Sequence, residues 1–247
     1  MRGGDFTREM VTDISRKGKK IKLKTNEDRV ISTKYLIGAD GTNSKIREKF
    51  DFGTIRKTPA IQYIIDEEPD HGTLKIFYDE KYEGDYKWEF PSGSTKKVGF
   101  PYIKEKEFKV EGDILKKQKR MIGHGGIEKP VDGNILLVGD AAGQTNSLSK
   151  GGLRAAMFAG KEAAKSIVKY EDPEKYEKAW KKSIFHSKLT NKAFEKLKEM
   201  DNDEIIEHLK PFKHNDIFAF MKIIFSSKYR KYLDLYKAYR AEKKMGW

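Results

Sequence analysis

Gly133-Asn-Ile-Leu-Leu-Val-Gly-Asp-Ala-Ala-Gly143 sets a short apolar run, Ile135 to Val138, directly against a glycine-flanked aspartate. A continuous apolar run bounded by turn residues reads as a buried strand. Here the strand ends in a turn that carries one acid, Asp140, between Gly139 and Gly143. After the polar loop Gln144-Thr-Asn-Ser-Leu-Ser-Lys150, a helix is predicted from Gly151 to Tyr170. Its small residues Gly151, Gly152, Ala155, Ala156, Ala159, Gly160, Ala163 and Ala164 let that helix approach another backbone or a ligand closely. Upstream, Lys34-Tyr-Leu-Ile-Gly-Ala-Asp-Gly41 repeats the arrangement, an apolar strand running into a glycine turn before a helix start over Ser44 to Phe50. Strand, tight turn and helix together place backbone N–H groups at a helix amino terminus.

Outward from these two motifs, Val11 to Gly38 opens as strand, turn and strand, with Ile21-Lys-Leu-Lys-Thr25 in strict alternation. Between residues 60 and 102, the stretches 60–65, 73–78, 86–90 and 97–100 predict four strands of a separate antiparallel sheet, with aromatic residues at alternating positions. A helix is predicted over Gly112 to Met121, followed by a loop from Gly123. Beyond Pro173, helices are predicted near Glu174 to Glu199, Asp203 to Lys210 and Asp216 to Lys244. The expected class is therefore α/β with mixed α+β character. Segments 1–54 and 113–170 form one domain, 55–112 an antiparallel sheet, and 171–247 a helical region.

Composition narrows the function. A chain of 247 residues with 37% hydrophobic content can bury a sizeable core. No cysteine is present, which removes disulfides, thiolate metal sites and a cysteine nucleophile. The five histidines, His71, His124, His186, His208 and His214, show no metal-ligand spacing and read as scattered surface residues. The longest apolar runs are too short to cross a bilayer, and no apolar stretch follows Met1 as in a signal peptide, so a cytoplasmic location is expected. A net charge of +13 can attract an acidic partner or anionic lipid, but lysines and acids are interspersed and no nucleic-acid module accompanies them. A solvated basic surface is the simpler reading.

The motifs Gly38-Ala-Asp-Gly-Thr-Asn-Ser-Lys-Ile-Arg47 and Gly139-Asp-Ala-Ala-Gly143, with Gly151-Gly-Leu153 downstream, occur in this order about a hundred residues apart and flank an antiparallel sheet. This pattern resembles the FAD-dependent aromatic hydroxylases and geranylgeranyl reductases. A third feature, Tyr86-x-Trp88-x-Phe90-Pro91 followed by Val98-Gly99, looks like the Tyr-x-Trp-x-Phe-Pro signature of the geranylgeranyl reductase family and is uncommon among the hydroxylases. The resemblance covers the chain from about Met10 onward. It implies a Rossmann-like FAD domain, an antiparallel substrate-domain sheet and a helical tail. It also implies an FAD oxidoreductase that delivers hydride from reduced flavin to carbon-carbon double bonds of a prenyl lipid. The electron donor expected for such a reaction is a reduced nicotinamide or an acidic ferredoxin.

Carried over residue by residue, the resemblance implies that Asp40, Gly41, Gly139, Asp140, Ala141, Gly143, Gly151, Gly152 and Leu153 lie at the FAD. Asp140 contacts the ribityl and pyrophosphate region, and the helix starting near Gly151 faces the N1 and O2 side of the flavin. Alone, a strand ending in Gly-Asp is an ordinary strand-to-turn junction. Arg47 fits either the cofactor region or a surface salt bridge. On a strand, Tyr86, Trp88 and Phe90 project to one face, where they line a prenyl tunnel or form a plain core stripe. No side chain stands out as a general acid, Tyr86 and a bound water being the only candidates, and catalytic residues stay unassigned.

The sequence also departs from the family pattern. Relatives carry Pro at the position of Ser147 and Gly at that of Lys150; a lysine there either stabilises an anionic flavin or points to solvent. No Gly-x-Gly-x-x-Gly unit for the adenine and pyrophosphate is visible. Gly123-His-Gly-Gly-Ile-Glu128 fails at the third glycine and precedes a proline-containing loop. An internal start or a truncation is therefore expected, with weak FAD binding by the chain alone. The competing readings are a flavin hydroxylase on the same fold, and a non-catalytic remnant or split-enzyme subunit that pairs with a separate N-terminal flavin-binding fragment. In the tail, Ile217, Phe218, Phe220, Met221, Ile224 and Phe225 recur at helical spacing before Lys228-Tyr-Arg-Lys-Tyr232. This pattern suits peripheral contact with a membrane or packing on the FAD domain.

Overall fold

The computed structural model describes residues 4–103, 109–186, 188–213 and 222–245. Three strands, β1 (Val11–Lys17), β2 (Lys20–Thr25) and β3 (Val30–Thr33), form the antiparallel meander that the alternation implies. Ile14 and Ile21 turn inward from it and pack with Ile46, Ile127, Ile135 and Leu137. β4 (Leu36–Gly38) follows and leads into the short helix α1 (Lys45–Lys49), whose first turn is capped by the Ser44 hydroxyl accepting from the Arg47 N–H.

The second sheet is antiparallel and has the order β6-β7-β8-β5-β9: β5 is Arg56–Ile65, β6 Lys75–Phe77, β7 Lys87–Ser92, β8 Thr95–Pro101 and β9 Ile114–His124. Its packed face is built by Ile61, Tyr63, Ile65, Val98 and Phe100 with Tyr82. The helix expected over 112–121 is instead β9, paired with β5 from Ile65↔Ile114 to Arg56↔His124. Lysine, glutamine and leucine favour helices in isolation, whereas this segment completes the hydrogen bonding of β5. Because Ile114, Leu115 and Met121 all stay exposed, the segment lacks the buried-and-exposed alternation that marks a strand. The sheet thus runs on past residue 112 to His124.

After β9 the chain returns through β10 (Val131–Asp132) to β11 (Ile135–Leu137), which pairs in parallel with β4. A 3-10 turn over Gly139–Ala142 and a polar loop precede helix α2 (Leu153–Val168). Ala155, Ala159 and Ala163 lie one turn apart and pack against Leu136 and Val138, so the small side chains allow close helix-to-sheet approach. Where one helix over 174–199 is expected, there are two, α3 (Glu174–Lys182) and α4 (Lys188–Lys198). Ser183 leaves helical conformation (ψ 157°) while its hydroxyl bonds the Trp180 carbonyl at 2.7 Å. α5 spans Asn202–Leu209. The expected helix over 216–244 is interrupted at extended Ser226, giving α6 (Ser227–Arg230) and α7 (Leu233–Met245). Of its apolar residues, Ile217, Phe218, Phe220 and Met221 lie outside the described residues. α4, α5 and α7 enclose a core of Phe194, Leu197, Ile205, Leu235 and Tyr236, into which Leu148 of the polar loop inserts. Among the described residues, no helix is long and apolar enough to cross a membrane.

Candidate active site

Because β4 and β11 run parallel with Gly38 opposite Leu137, the two glycine-aspartate turns emerge side by side. The approach is close: a side chain on Gly38 would meet Leu137 and Ile46 at 2.7 and 2.8 Å. Arg47 then ties the turns together. Its buried guanidinium donates from Nη1 to the Ala141 carbonyl and from Nη2 to the Thr42 carbonyl, each at 2.7 Å. Burial lowers its pKa from the ordinary value, with Asp40 pulling it back. Arg47 is therefore an internal clamp and not a surface salt bridge.

The residues expected at the cofactor divide into two groups. Ala141 is fully buried, and a side chain on Gly143 (φ +63°) would strike Ile55, so these two shape the turn from inside. Asp40 and Asp140 are exposed, and Gly41 (φ +81°) has open space where a side chain would be. Asp40 accepts from the Ile46 N–H at 3.3 Å, at the start of α1. Asp140 Oδ1 accepts from the Thr145 hydroxyl at 2.9 Å. Gly152 lies against both, since a side chain there would come within 2.6 Å of Thr145 Oγ1 and 3.5 Å of Asp140 Oδ1. Gly139 adopts φ +61° and donates its N–H to Gln144 Oε1, which fixes the turn that presents Asp140.

Helix α2 begins beside this cluster with Gly152 as its cap residue and no side chain capping it. Its first N–H groups therefore lack a side-chain acceptor and face polar surroundings next to an exposed carboxylate. Leu153, 72% exposed, stands at the same end. Hydroxyls that seek a carboxylate acceptor, together with a partly negative ring edge that seeks N–H donors, fit Asp140 and the α2 start as the ribityl chain and ring of a flavin do.

On the other side of the polar loop lies a cleft of about 850 Å³. Tyr86, Trp88 and Phe90 all line it, with Ile76 and Ile122 from the sheet and Leu148 from the loop. Tyr86 is also core: it is buried and its hydroxyl donates to the Ser149 carbonyl. Trp88 Nε1 donates to Gln62 Oε1 at 3.2 Å. Exposed Leu74 and Ile76 mark one end of the cleft. Its inner end is marked by the buried side chains of Asp85, Tyr86 and Lys150, and Gly151, which leads into α2, lines it as well.

The inner end holds polar groups of which sequence reading singled out Lys150 and missed Asp85 and Glu242. Lys150 does not point to solvent: its Nζ lies 2.8 Å from Asp85 Oδ1, donates to the Ser147 carbonyl at 2.6 Å and sits 3.9 Å from the Phe194 ring centroid. Burial works against both charges, raising the Asp85 pKa and lowering that of Lys150, while each draws the other back toward its ionised form. Lys150 has φ +51°, a backbone conformation that suits glycine better than lysine. Glu242 of α7 also lines the cleft; it is buried, and neither carboxylate oxygen makes a hydrogen bond of normal length. Burial raises its pKa, with Ser149 and Asn146 pulling it back in part.

His124 and His208 are not surface residues: they are 2% and 1% exposed. The signal for His124 was the strand itself. Once residues 114–124 pair with β5, residue 124 falls opposite Arg56 and turns inward. Among the described residues, no cluster of metal-ligating side chains is present.

No family model matches the chain. A digeranylgeranylglycerophospholipid reductase of Methanosarcina mazei is 30% identical over 258 residues, covering 88% of this chain and 60% of that protein. The chain spans 54% to 60% of the length of such curated relatives. Among solved structures, a geranylgeranyl bacteriochlorophyll reductase-like protein of Thermoplasma acidophilum superimposes with TM-score 0.70 at 16% identity, covering 92% of this chain and 69% of that one. The flavin-dependent halogenase CmlS superimposes with TM-score 0.60 at 14% identity, covering 83% and 48%. The strand-and-turn motifs, the aromatic strand and these likenesses agree: the chain belongs to the geranylgeranyl reductase-like family of FAD-dependent oxidoreductases.

Proposed function

We propose that this chain acts in an FAD-dependent reductase that adds hydrogen across carbon-carbon double bonds of geranylgeranyl or other prenyl lipids. One observation carries the reading: Lys150 and Gly151, immediately before the α2 start, line the aromatic cleft, so a chain lying in it passes beside the flavin-compatible cluster around Asp140. Asp140 and the first N–H groups of α2 would hold the cofactor, and Gly152 keeps that approach open. When bound, reduced flavin supplies a hydride. The protein supplies the rest. Ile76, Trp88 and Phe90 strip water from an isoprenoid chain, at about 0.8 kcal/mol for each CH₂ buried. Asp85, Lys150 and Glu242 place titratable groups at the inner end, Lys150 as the ammonium of its pair with Asp85.

The test is direct. The protein is incubated with saturating FAD, dithionite as reductant and a geranylgeranylated glycerolipid, and the lipid is weighed by mass spectrometry. A gain of two hydrogens per double bond is expected. An unreduced lipid, with aromatic compounds hydroxylated under oxygen and a reduced nicotinamide, would replace this reading with a hydroxylase.

A further inference from the structure

A second cavity, of about 350 Å³, lies across the polar loop from the aromatic cleft and is lined by Gly125, Gly126, Gln144, Asn146, His186 and Asn191. An unbroken line of buried polar contacts joins the two. From the cleft, Lys150 meets Asp85 at 2.8 Å, and Asp85 Oδ2 meets the Thr58 hydroxyl at 3.3 Å. Thr58 Oγ1 lies 3.1 Å from His124 Nε2, and His124 Nδ1 lies 3.0 Å from the Ser147 hydroxyl. Ser147 donates to Asn191 Oδ1 at 2.6 Å, and Asn191 Nδ2 is held by the Gly125 carbonyl at 3.0 Å. Thr58, Asp85, His124 and Ser147 are each 8% exposed or less, so bulk water does not replace the links between them.

The imidazole sits where this line is one proton short. If neutral His124 carries its proton on Nδ1, it donates to Ser147, Ser147 satisfies Asn191, and Thr58 turns to Nε2, leaving Asp85 Oδ2 without its hydroxyl. If the proton is on Nε2, Thr58 satisfies Asp85 and Ser147 turns to Nδ1, leaving Asn191 without its donor. Each tautomer forgoes one hydrogen bond, so neither satisfies the whole line. The charged groups that bear on the ring, Lys150 and Arg56, join burial in keeping it neutral, and the Phe194 ring packs edge-on against it.

We propose that His124 relays protons from the second cavity, through Thr58, to the Asp85–Lys150 pair at the inner end of the aromatic cleft. The proposal rests on the reductase reading above. One reduction consumes a hydride, delivered with its electron pair by reduced flavin, and one proton, which the Lys150 ammonium gives to the other carbon of the double bond. Lys150 is left as an amine. A water in the second cavity, taking the place of the Asn191 amide oxygen, gives a proton to Ser147 Oγ as the Ser147 proton passes to His124 Nδ1, and the hydroxide left in the cavity takes a proton from bulk solvent. The Nε2 proton passes to Thr58, the Thr58 proton to Asp85, and Asp85 restores the ammonium. No electrons move along the line; the ring is left with its proton on Nδ1, and rotation of the imidazole about Cβ–Cγ with exchange of that proton restores the Nε2–H form before the next turnover. His124, Thr58 and Ser147 are positioning residues in this scheme.

The test reads the tautomer itself by long-range proton–nitrogen NMR of the full chain with labelled histidine, His124→Gln identifying the signal. Both tautomers in exchange are expected. Ser147→Ala should drive the ring to Nε2–H and Thr58→Val to Nδ1–H, because each removes one partner. A single tautomer that neither substitution moves would overturn the relay, whatever becomes of the reductase reading. With saturating FAD and dithionite, either substitution should lower turnover at least tenfold and raise the solvent deuterium isotope effect, and Ser147→Ala, which lies outside the cleft lining, should leave prenyl-lipid binding unchanged. Unchanged turnover and isotope effect beside an active wild type would also overturn it.

Discussion

Trp88 of β7 stands opposite Gly99 of β8, and its indole occupies the space where a side chain on Gly99 would be. A Cβ there would come well under 3.0 Å from the ring. The pairing accounts for the spacing of Tyr86-x-Trp88-x-Phe90 and Val98-Gly99: the glycine seats the tryptophan against the sheet while the ring lines the cleft. Gly99→Ala should therefore displace the indole, break its bond to Gln62 and cost about 1–3 kcal/mol from overpacking. Thermal melting together with a shift in tryptophan fluorescence checks it. An unshifted spectrum with full stability would show that the strand absorbs the methyl.

Arg47 carries both motif turns on one side chain, so its removal leaves two buried carbonyls unpaired. Arg47→Leu should destabilise the fold by about 3 kcal/mol, two charge-assisted hydrogen bonds contributing about 1.5–3 kcal/mol each less the gain from burying leucine. Lysine should rescue little, because a single ammonium lacks the fork that spans Thr42 and Ala141. Urea denaturation of the two variants decides this; a lysine variant as stable as the parent would mean that charge alone matters.

Much of this architecture was legible in the sequence because it is encoded locally. The apolar run 135–138 and the glycines around Asp140 announced a strand and turn, and alternation from 21 to 25 announced the meander. β9 was not legible, because lysines on both faces erase the period of two and only pairing with β5 makes it a strand. The inner end of the cleft was hidden for another reason. Thr58, Asp85, His124 and Lys150 come from four distant segments, and nothing at any one of them signals the others.

The Asp85–Lys150 pair invites a double test. Lys150→Met leaves Asp85 buried without its cation and should cost about 3–5 kcal/mol, although part of the loss returns on adding Asp85→Asn. Lys150→Gly removes the strain of φ +51° as well as the charge, so it should be less harmful than Lys150→Met. Equal stability of the methionine and glycine variants would assign the whole effect to the ion pair.

At the flavin-compatible cluster, Asp140→Ala should weaken FAD binding about tenfold or more, the loss of charge-assisted hydrogen bonds of about 1.5–3 kcal/mol. Gly152→Ala should do the same by a different route, since its methyl would press on Thr145 Oγ1 and push Asp140 aside. Calorimetric titration of FAD into each variant measures both. Binding equal to that of the parent would move Asp140 from cofactor contact to turn support through Thr145.

Glu242 yields the pH prediction. Its carboxyl is raised above the ordinary value of 4.5 because burial disfavours the charge, so the folded state holds the proton more tightly than the unfolded chain. A carboxyl of that kind favours folding most fully below pH 4.5 and withdraws its contribution as pH rises through its folded value. Glu242→Gln, which stays neutral at every pH, should therefore stabilise the protein at pH 8, by about 1–3 kcal/mol for relief of an unsatisfied buried group. The gain should fade near pH 4.5. His124 moves oppositely: pushed down to about 3 from an ordinary 6.5, it costs stability as pH falls through that window. The two effects separate by comparing melting temperatures of Glu242→Gln and the parent at each pH, because His124 is common to both. A gain that is the same at pH 5 and pH 8 would mean that Glu242 is already ionised in the folded state at pH 5 and that burial does not raise its carboxyl, and a loss at pH 8 would mean that its charge is paired.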